Sequence, residues 1–271
     1  MEVLWFVIAV LVVVAVFLFM IFPAVRRHPD LELMNGMYIA HRGLHSQSEN
    51  TPENSLAAFK AAVDAKIAIE TDIHITADGE VVIFHDDTLQ RMCADPRRPE
   101  DLTLRELKEL RLAGGDQRIP TLKECLQLVD GRVPLLIEFK TKSPKTCTPL
   151  CRAANEILKD YKGKYFIQSF YPFVPYWYRK NRKDILRGQL SSGYFKEKGL
   201  HMKMLSCLLF NFIARPDFIA YEFFYEHKFC RRLCAFLGAH SAGWTFTKKE
   251  QVKKYGDKFP TRIFEGFMPE K

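Results

Sequence analysis

Nine short runs rich in β-branched and aromatic residues recur along the chain, and no other feature narrows the fold so far. They are residues 37–43, 68–76, 81–86, 134–140, 165–170, 186–192, 218–223, 241–246 and 262–267. Between them lie amphipathic stretches such as Ser55–Ala65, Leu104–Leu112, Thr121–Val129 and Leu150–Asp160. Strands alternating with helices specify βαβ units and a parallel sheet. One pair breaks the alternation. Only ADGE separates the second and third runs, and Asp78-Gly79 predicts a two-residue hairpin turn. Residues 81–86 then fold back antiparallel on 68–76, pairing Thr76 with Val81, His74 with Ile83 and Asp72 with His85. Eight parallel strands remain, which is the count of an α/β fold of the (β/α)8 or TIM-barrel class, with its chemistry at the C-terminal strand ends.

Opposed residues share a sheet face, as do residues i and i+2. The expected hairpin therefore projects Glu70, Asp72 and His85 together and puts Ile73, Ile75, Val82 and Phe84 on the other face. Two carboxylates and an imidazole on one face are costly unless a cation or a substrate charge is shared. Oxygen ligands suit a hard divalent ion, Mg²⁺ or Ca²⁺. Glu138 adds a third carboxylate from an otherwise apolar strand; the plainer reading of Glu138 is an ion pair with Lys140, its i+2 neighbour. Lys140 also suits a substrate phosphate as a point charge. His41 and Arg42 end the first strand directly before Gly43. An imidazole there is placed for acid–base work, and the guanidinium beside it suits a pair of phosphate oxygens. His28, His45, His74, His201, His227 and His240 are read as non-catalytic.

The motifs IAHRG, PENSLAAF, ETDIHITADGEVVIFHDDTLQR, IPTLKECL, LLIEFK, IQSF and GWTF, running from Ile39 to Phe246, resemble the glycerophosphodiester phosphodiesterase family. The resemblance implies a TIM barrel with a small insertion around the hairpin after the second strand. It implies one bound divalent cation and hydrolysis of glycerophosphodiesters to glycerol phosphate and an alcohol. Residue by residue, it makes Glu70, Asp72 and Glu138 metal ligands and His41 and His85 the acid–base pair. It places Arg42 and Lys140 on the phosphate, Glu53 at the wall of the site, and Trp244 near the organic part of the substrate. Ser55 after PEN, Lys66, GWTFT and FEGFMP depart from the family's usual residues, and the last two bear on the pocket for the alcohol.

Residues 3–22 are all apolar. At 1.5 Å per residue they cover about 30 Å, the thickness of a hydrocarbon core. Only Glu2 and the terminal amine precede them, the run is too long for a signal-peptide core, and no small-x-small cleavage site follows. The expectation is a single-pass transmembrane anchor in residues 1–28 and a catalytic domain in 29–271. Arg26 and Arg27 behind the run put that domain on the cytoplasmic side. Lys and Arg number 40 against 32 Asp and Glu, giving a net charge of +8, but no nucleic-acid-binding motif accompanies it. A basic face toward anionic lipid accounts for the charge without nucleic acid. Seven cysteines, an odd number with no CxxC, fit free thiols.

Three function classes are thus set against each other. The first is a glycerophosphodiesterase. The second is a lysophospholipase D acting on membrane lysolipids. The third, a membrane-tethered phosphodiester-binding protein, needs no acid–base pair. The segments 171–183, 193–213 and 224–237 are aromatic and basic, the mixture that settles at a lipid headgroup boundary. Leu205–Ile213 is expected to be a helix packed on the sheet. Residues 171–183, with Pro172 and Pro175, are expected to be an irregular rim offering Tyr176 and Trp177 to lipid.

Overall fold

In a computed structural model the protein is described for residues 1–24, 28–46, 50–195 and 199–269. All nine runs are strands: β1 Tyr38–Ala40, β2 Ala68–Ile75, β3 Val81–Ile83, β4 Leu135–Phe139, β5 Tyr165–Ser169, β6 Arg187–Ser191, β7 Phe218–Glu222, β8 His240–Phe246 and β9 Thr261–Phe264. β1 lies parallel between β2 and β9, so the eight parallel strands close into a TIM barrel. The helices are α1 Glu2–Ile21, α2 Leu56–Asp64, α3 Gln90–Cys93, α4 Leu104–Glu109, α5 Leu122–Val129, α6 Pro144–Leu158, α7 Phe173–Asn181, α8 Leu200–Ser206, α9 Asn211–Ala214, α10 Phe229–Phe236 and α11 Lys249–Tyr255. Several starts are written locally. The Ser55 side chain accepts from the Ala58 amide to begin α2, and Thr121 with Glu124 forms a capping box on α5.

Alternate strand residues sort into two layers. Ile39, Ala68, Leu136, Phe166, Phe218, Ala220, Ala242 and Ile263 fill the barrel interior. Leu31 and Met34, from the 3₁₀ turn Pro29–Met34, join them. That turn leads directly into β1, so it plugs the end where the strands begin. The opposite parity, including Ile69, Ile73, Leu135, Ile137, Ile167 and Ile219, packs outward under the helices against Phe59, Leu122, Leu150 and Tyr178. Each such side chain contributes about 1.5–3 kcal/mol by leaving water.

The hairpin is where the sequence expectation slips by one residue. Ile73 opposes Ile83, His74 opposes Val82 and Ile75 opposes Val81. The turn has three residues, not two: the Gly79 amide donates to Thr76, Gly79 takes φ +86°, and the Thr76 amide pairs with Glu80. The Thr76 hydroxyl stabilises this longer turn by donating to Asp78 and accepting from the Glu80 amide. The extra residue exchanges the faces of β3. Val82 and Phe84 therefore leave the barrel and form a separate small core with Leu89, Leu102, Leu107, Leu112 and Ile119. That core organises the insertion between β3 and α5. His74 is buried there, its Nδ1 2.8 Å from Glu100.

A second expectation is overturned at residues 171–183. Phe173–Asn181 is a regular helix, with Val174, Pro175 and Tyr178 buried against the sheet. Pro172 and Pro175 fall before and within its first turn, where a missing amide hydrogen costs nothing. Trp177 packs on the core, and of the segment's aromatic residues only Phe173 and Tyr176 keep substantial exposure. The helix expected over Leu205–Ile213 is divided: α8 ends at Ser206, residues 207–210 form a turn with Leu208 at φ +58°, and α9 begins at Asn211, while Leu205, Leu208 and Asn211 are buried as expected of a packed segment.

α1 is long and apolar enough to cross a membrane, and most of it is exposed. Its end is docked on the barrel: Ile21 is fully buried, and the Ile21 carbonyl accepts from Asn211 Nδ2 at 2.8 Å. Arg26 and Arg27, the basic flank, lie outside the described residues.

Candidate active site

On β1, β2, β4 and β9 the residues facing the barrel axis turn polar as the strand nears its C-terminal end. β2 reads Ala68, Glu70, Asp72 at alternate positions; β4 reads Leu136, Glu138 and then Lys140; Ile39 leads to His41, and Ile263 to Glu265. Asp72 and Glu138 are register partners on neighbouring strands. Glu70, Asp72 and Glu138 are all buried and bring one oxygen each within 4.8 Å of one another.

Three such carboxyls cannot all ionise unaided. Burial, then the charges of Asp72 and Glu138, pushes Glu70 well above the usual carboxylate range. Glu138 is raised by the same burial, opposed by Lys140. Burial would raise Asp72 too, but Lys140, His85, Arg42 and a hydrogen bond from Asn54 hold it far below its ordinary value. Lys140 Nζ lies 2.6 Å from Glu138 and 3.0 Å from Asp72, so the plainer reading of Glu138 as an ion-pair partner is realised alongside the cluster. The Asp72 Oδ1 atom is buried and still accepts no well-aligned hydrogen bond. An oxygen-only, acid-rich, underbonded trio is the donor set that a hard divalent cation satisfies.

His41 and His85 are built alike. His41 Nδ1 is 2.6 Å from Glu265, and His85 Nδ1 is 2.7 Å from Asp86. Both carboxyls sit below their ordinary range: Glu265 chiefly through the His41 bond, and Asp86 through His85 and Arg91 against the cost of burial. An ionised partner accepts, so Nδ1 carries the hydrogen and Nε2 is left as the reactive nitrogen in each ring. Burial lowers the His41 pKa below 6.5, and Glu265 only partly offsets it.

Arg42 takes φ +56° and donates its amide to Glu70 at 3.1 Å and its guanidinium to Glu53 at 2.7 Å. Its Nε is buried without a hydrogen-bond partner. Arg91, from α3 in the insertion, closes on Glu53 and Asp86 together, so Glu53 ties the His85 side of the site to the barrel. On the far wall Trp244 meets Phe170 edge-on at 5.9 Å, and Phe170 meets Phe195 at 6.0 Å.

Every residue singled out from sequence therefore has a place at this end of the barrel: His41, Arg42, Glu53, Glu70, Asp72, His85, Glu138 and Lys140 in one connected cluster, and Trp244 on the apolar wall. Sequence reading passes over Asn54, Asp86, Arg91 and Glu265, and it sets aside His45, whose Nε2 is 3.7 Å from Glu265. For Glu265 a signal exists, since it is the next axis-facing position after Ile263. Asp86 stands beside His85 in HDD, where nothing distinguishes it from Asp87.

Gly43 shows how tightly the first motif is held. It has φ +81°, and a Cβ there would stand 2.9 Å from the Ala58 carbonyl carbon at the start of α2. Gly43→Ala should cost about 1–3 kcal/mol from backbone strain alone, read as a lower thermal midpoint with the His41 loop displaced.

The glycerophosphoryl diester phosphodiesterase family model matches residues 41–174. A glycerophosphodiester phosphodiesterase of Caldanaerobacter subterraneus is 39% identical over 119 residues, 41% of this chain and 46% of that protein. Human glycerophosphodiester phosphodiesterase 1 is 31% identical over 158 residues, 55% of this chain and 46% of that protein. The chain thus spans about half the length of the curated relatives it matches. The barrel superposes on an Oleispira antarctica phosphodiesterase, solved with the product sn-glycerol-3-phosphate, with a TM-score of 0.69, 23% identity and coverage of 87% and 94% of the two chains. The matched stretch opens on His41 and contains the carboxylate trio, Glu53, His85 and Lys140, and the barrel supplies the strand ends that gather them: residues 41–174 carry the pattern of the glycerophosphoryl diester phosphodiesterase family.

Proposed function

We propose that the protein hydrolyses glycerophosphodiesters to glycerol phosphate and an alcohol. The observation that carries this reading is a pair of histidines, each oriented through Nδ1 by its own carboxylate, beside a buried trio of acids with two cations among them. Glu70, Asp72 and Glu138 hold one divalent cation, Mg²⁺ or Ca²⁺. When bound, the ion supplies Lewis-acid polarisation of the phosphoryl oxygen and neutralises developing charge. Arg42 and Lys140 bind the phosphate oxygens. His41, kept neutral by burial, takes the proton of the attacking hydroxyl at Nε2; His85 returns a proton to the leaving alkoxide from Nε2. Glu53 positions Arg42, and Trp244 lines the pocket for the organic group.

In this reading residues 1–28 form a single-pass anchor and residues 29–271 the catalytic unit, on the cytoplasmic side by the charge of Arg26 and Arg27. The apolar wall of Phe170, Phe195 and Trp244 supports a second reading, a lysophospholipase D, because an apolar surface suits an acyl chain as well as a small alcohol.

Incubation of the full chain with glycerophosphocholine and with lysophosphatidylcholine tests both. Release of glycerol phosphate from the first, lost in chelator and restored by divalent ion, is the expected result. Choline release from lysophosphatidylcholine alone would favour the second reading. Turnover of neither, with cation present, would refute the assignment.

A further inference from the structure

α1 meets the barrel along a defined direction. The Phe17 ring stacks at 6.4 Å on Phe229, the first residue of α10. Further along, the Ile21 carbonyl accepts from Asn211, the Phe22 carbonyl accepts from Arg215 at 2.7 Å, and the Ala24 amide donates to Pro216 at 2.9 Å. Barrel helices begin at the end where the strands finish, which is the catalytic end. Residues 215–217 lead into β7 at the opposite end, and the plug Pro29–Met34 lies at that end too. α1 therefore descends past the catalytic end toward the floor, and the part ahead of Phe17 projects beyond the catalytic end.

The geometry points to that end as the face the protein lays on a lipid bilayer. This rests on reading α1 as a membrane anchor, and length then decides the rest. Between Glu2, the charge that bounds the apolar run, and Phe17 lie about 14 apolar residues, or roughly 21 Å, short of the hydrocarbon thickness of about 30 Å. For α1 to span, its last turn must stay at membrane depth, and the barrel surface docked on that turn must come down with it. The surface there is suited to the position. Phe173, Leu200 and Phe229 are the first residues of α7, α8 and α10, and they are 44%, 75% and 68% exposed. Tyr194 and Phe224, in the loops leading to α8 and α10, are 62% and 54% exposed. Lys203 and Lys228 stand exposed among them, available to anionic headgroups. Tyr194 is followed by Phe195, which leads through Phe170 to Trp244, so an apolar path runs from this surface into the site. A diester whose alcohol or acyl part remains in the leaflet reaches the carboxylate cluster along that path.

The test places a photoreactive phenylalanine analogue in the full chain, reconstituted in vesicles of phosphatidylcholine and phosphatidylglycerol, and reads lipid adducts by mass spectrometry. Positions 200 and 224 should capture lipid as position 10 in α1 does, while positions 33 and 236, exposed toward the opposite end, should stay at background. Capture at 236 but not at 200 or 224 would mean that the barrel lies on its side, and it would overturn the proposal. Absence of capture at position 10 would remove the anchor reading itself and the proposal with it. In a second arm, Leu200→Ser and Phe224→Ser should each lower kcat/KM for lysophosphatidylcholine in vesicles roughly tenfold, from the apolar area withdrawn from lipid, and leave kcat/KM for dissolved glycerophosphocholine unchanged. Equal losses on both substrates would also count against a lipid-facing role.

Discussion

Asp72→Asn is expected to lower kcat roughly 10³-fold or more, equivalent to about 4 kcal/mol of transition-state stabilisation. Asp72 is the residue on which the site converges: the charges of Lys140 and Arg42 and the amide of Asn54 all reach it, and it is fully buried. The substituting amide keeps the shape and removes the charge that, in the proposed function, holds the cation in place. Divalent-ion affinity, measured by calorimetry, should fall with the rate. Glu70 provides a companion observable. Its carboxyl is raised in the folded protein, so the folded state binds more protons than the unfolded one once pH exceeds the ordinary value of 4.5. Without cation, stability must therefore fall as pH rises from there through the folded pKa, and a bound cation removes that loss. The rise in thermal midpoint on adding divalent ion should be larger at neutral pH than near pH 5. Unchanged turnover and ion affinity in Asp72→Asn would remove the cation site from the mechanism.

His41→Ala should lower kcat by roughly 10²–10⁴-fold with the cation still bound, because no ligand of the trio is touched. Its partner allows a finer test. A base works when deprotonated, so activity is lost as pH falls through the folded pKa of His41, and the acid limb of kcat/KM should lie below pH 6.5, in the direction that burial shifts it. Glu265→Gln deletes the charge that raises this pKa, so the limb should move to still lower pH while kcat drops about 10–100-fold from looser orientation of the ring. A limb that stays in place in Glu265→Gln, or near-normal turnover in His41→Ala, would reassign the base.

The barrel is legible from the sequence because strand propensity and helix periodicity alternate with little interruption, and because parity makes acids such as Glu70 and Glu138 conspicuous inside apolar strands. The hairpin register is not legible. Asp78-Gly79 is compatible with two- and three-residue turns, and the choice falls to the Thr76 hydroxyl, a contact that no periodicity announces. That single residue moves Val82 and Phe84 from the barrel to the insertion. His85 reaches the site by leaving the strand, not by the cross-strand pairing with Asp72. Residues 171–183 mislead for the opposite reason: aromatic crowding and two prolines suggest a loop, yet burial of Val174 and Tyr178 outweighs them and the prolines fall where a helix tolerates them. Partners such as Glu265 and Arg91 escape a reading by motif because their role exists only through residues far away in sequence.

The hydrogen bond between His41 and Glu265 joins positions 224 residues apart, across the seam where β1 meets β9. Contacts of such span are slow to form, since the loop they close must lose its freedom first. A chain emerging from the ribosome has His41 early, but it cannot seal the barrel or orient that ring until Thr261–Glu265 has emerged as well. Until then β1 offers an unpaired edge to any neighbouring strand. A nascent or truncated chain lacking this last strand would expose an open sheet and leave His41 unoriented, although His85 already has Asp86 beside it, so the paired-histidine site is completed only at the closing step of folding.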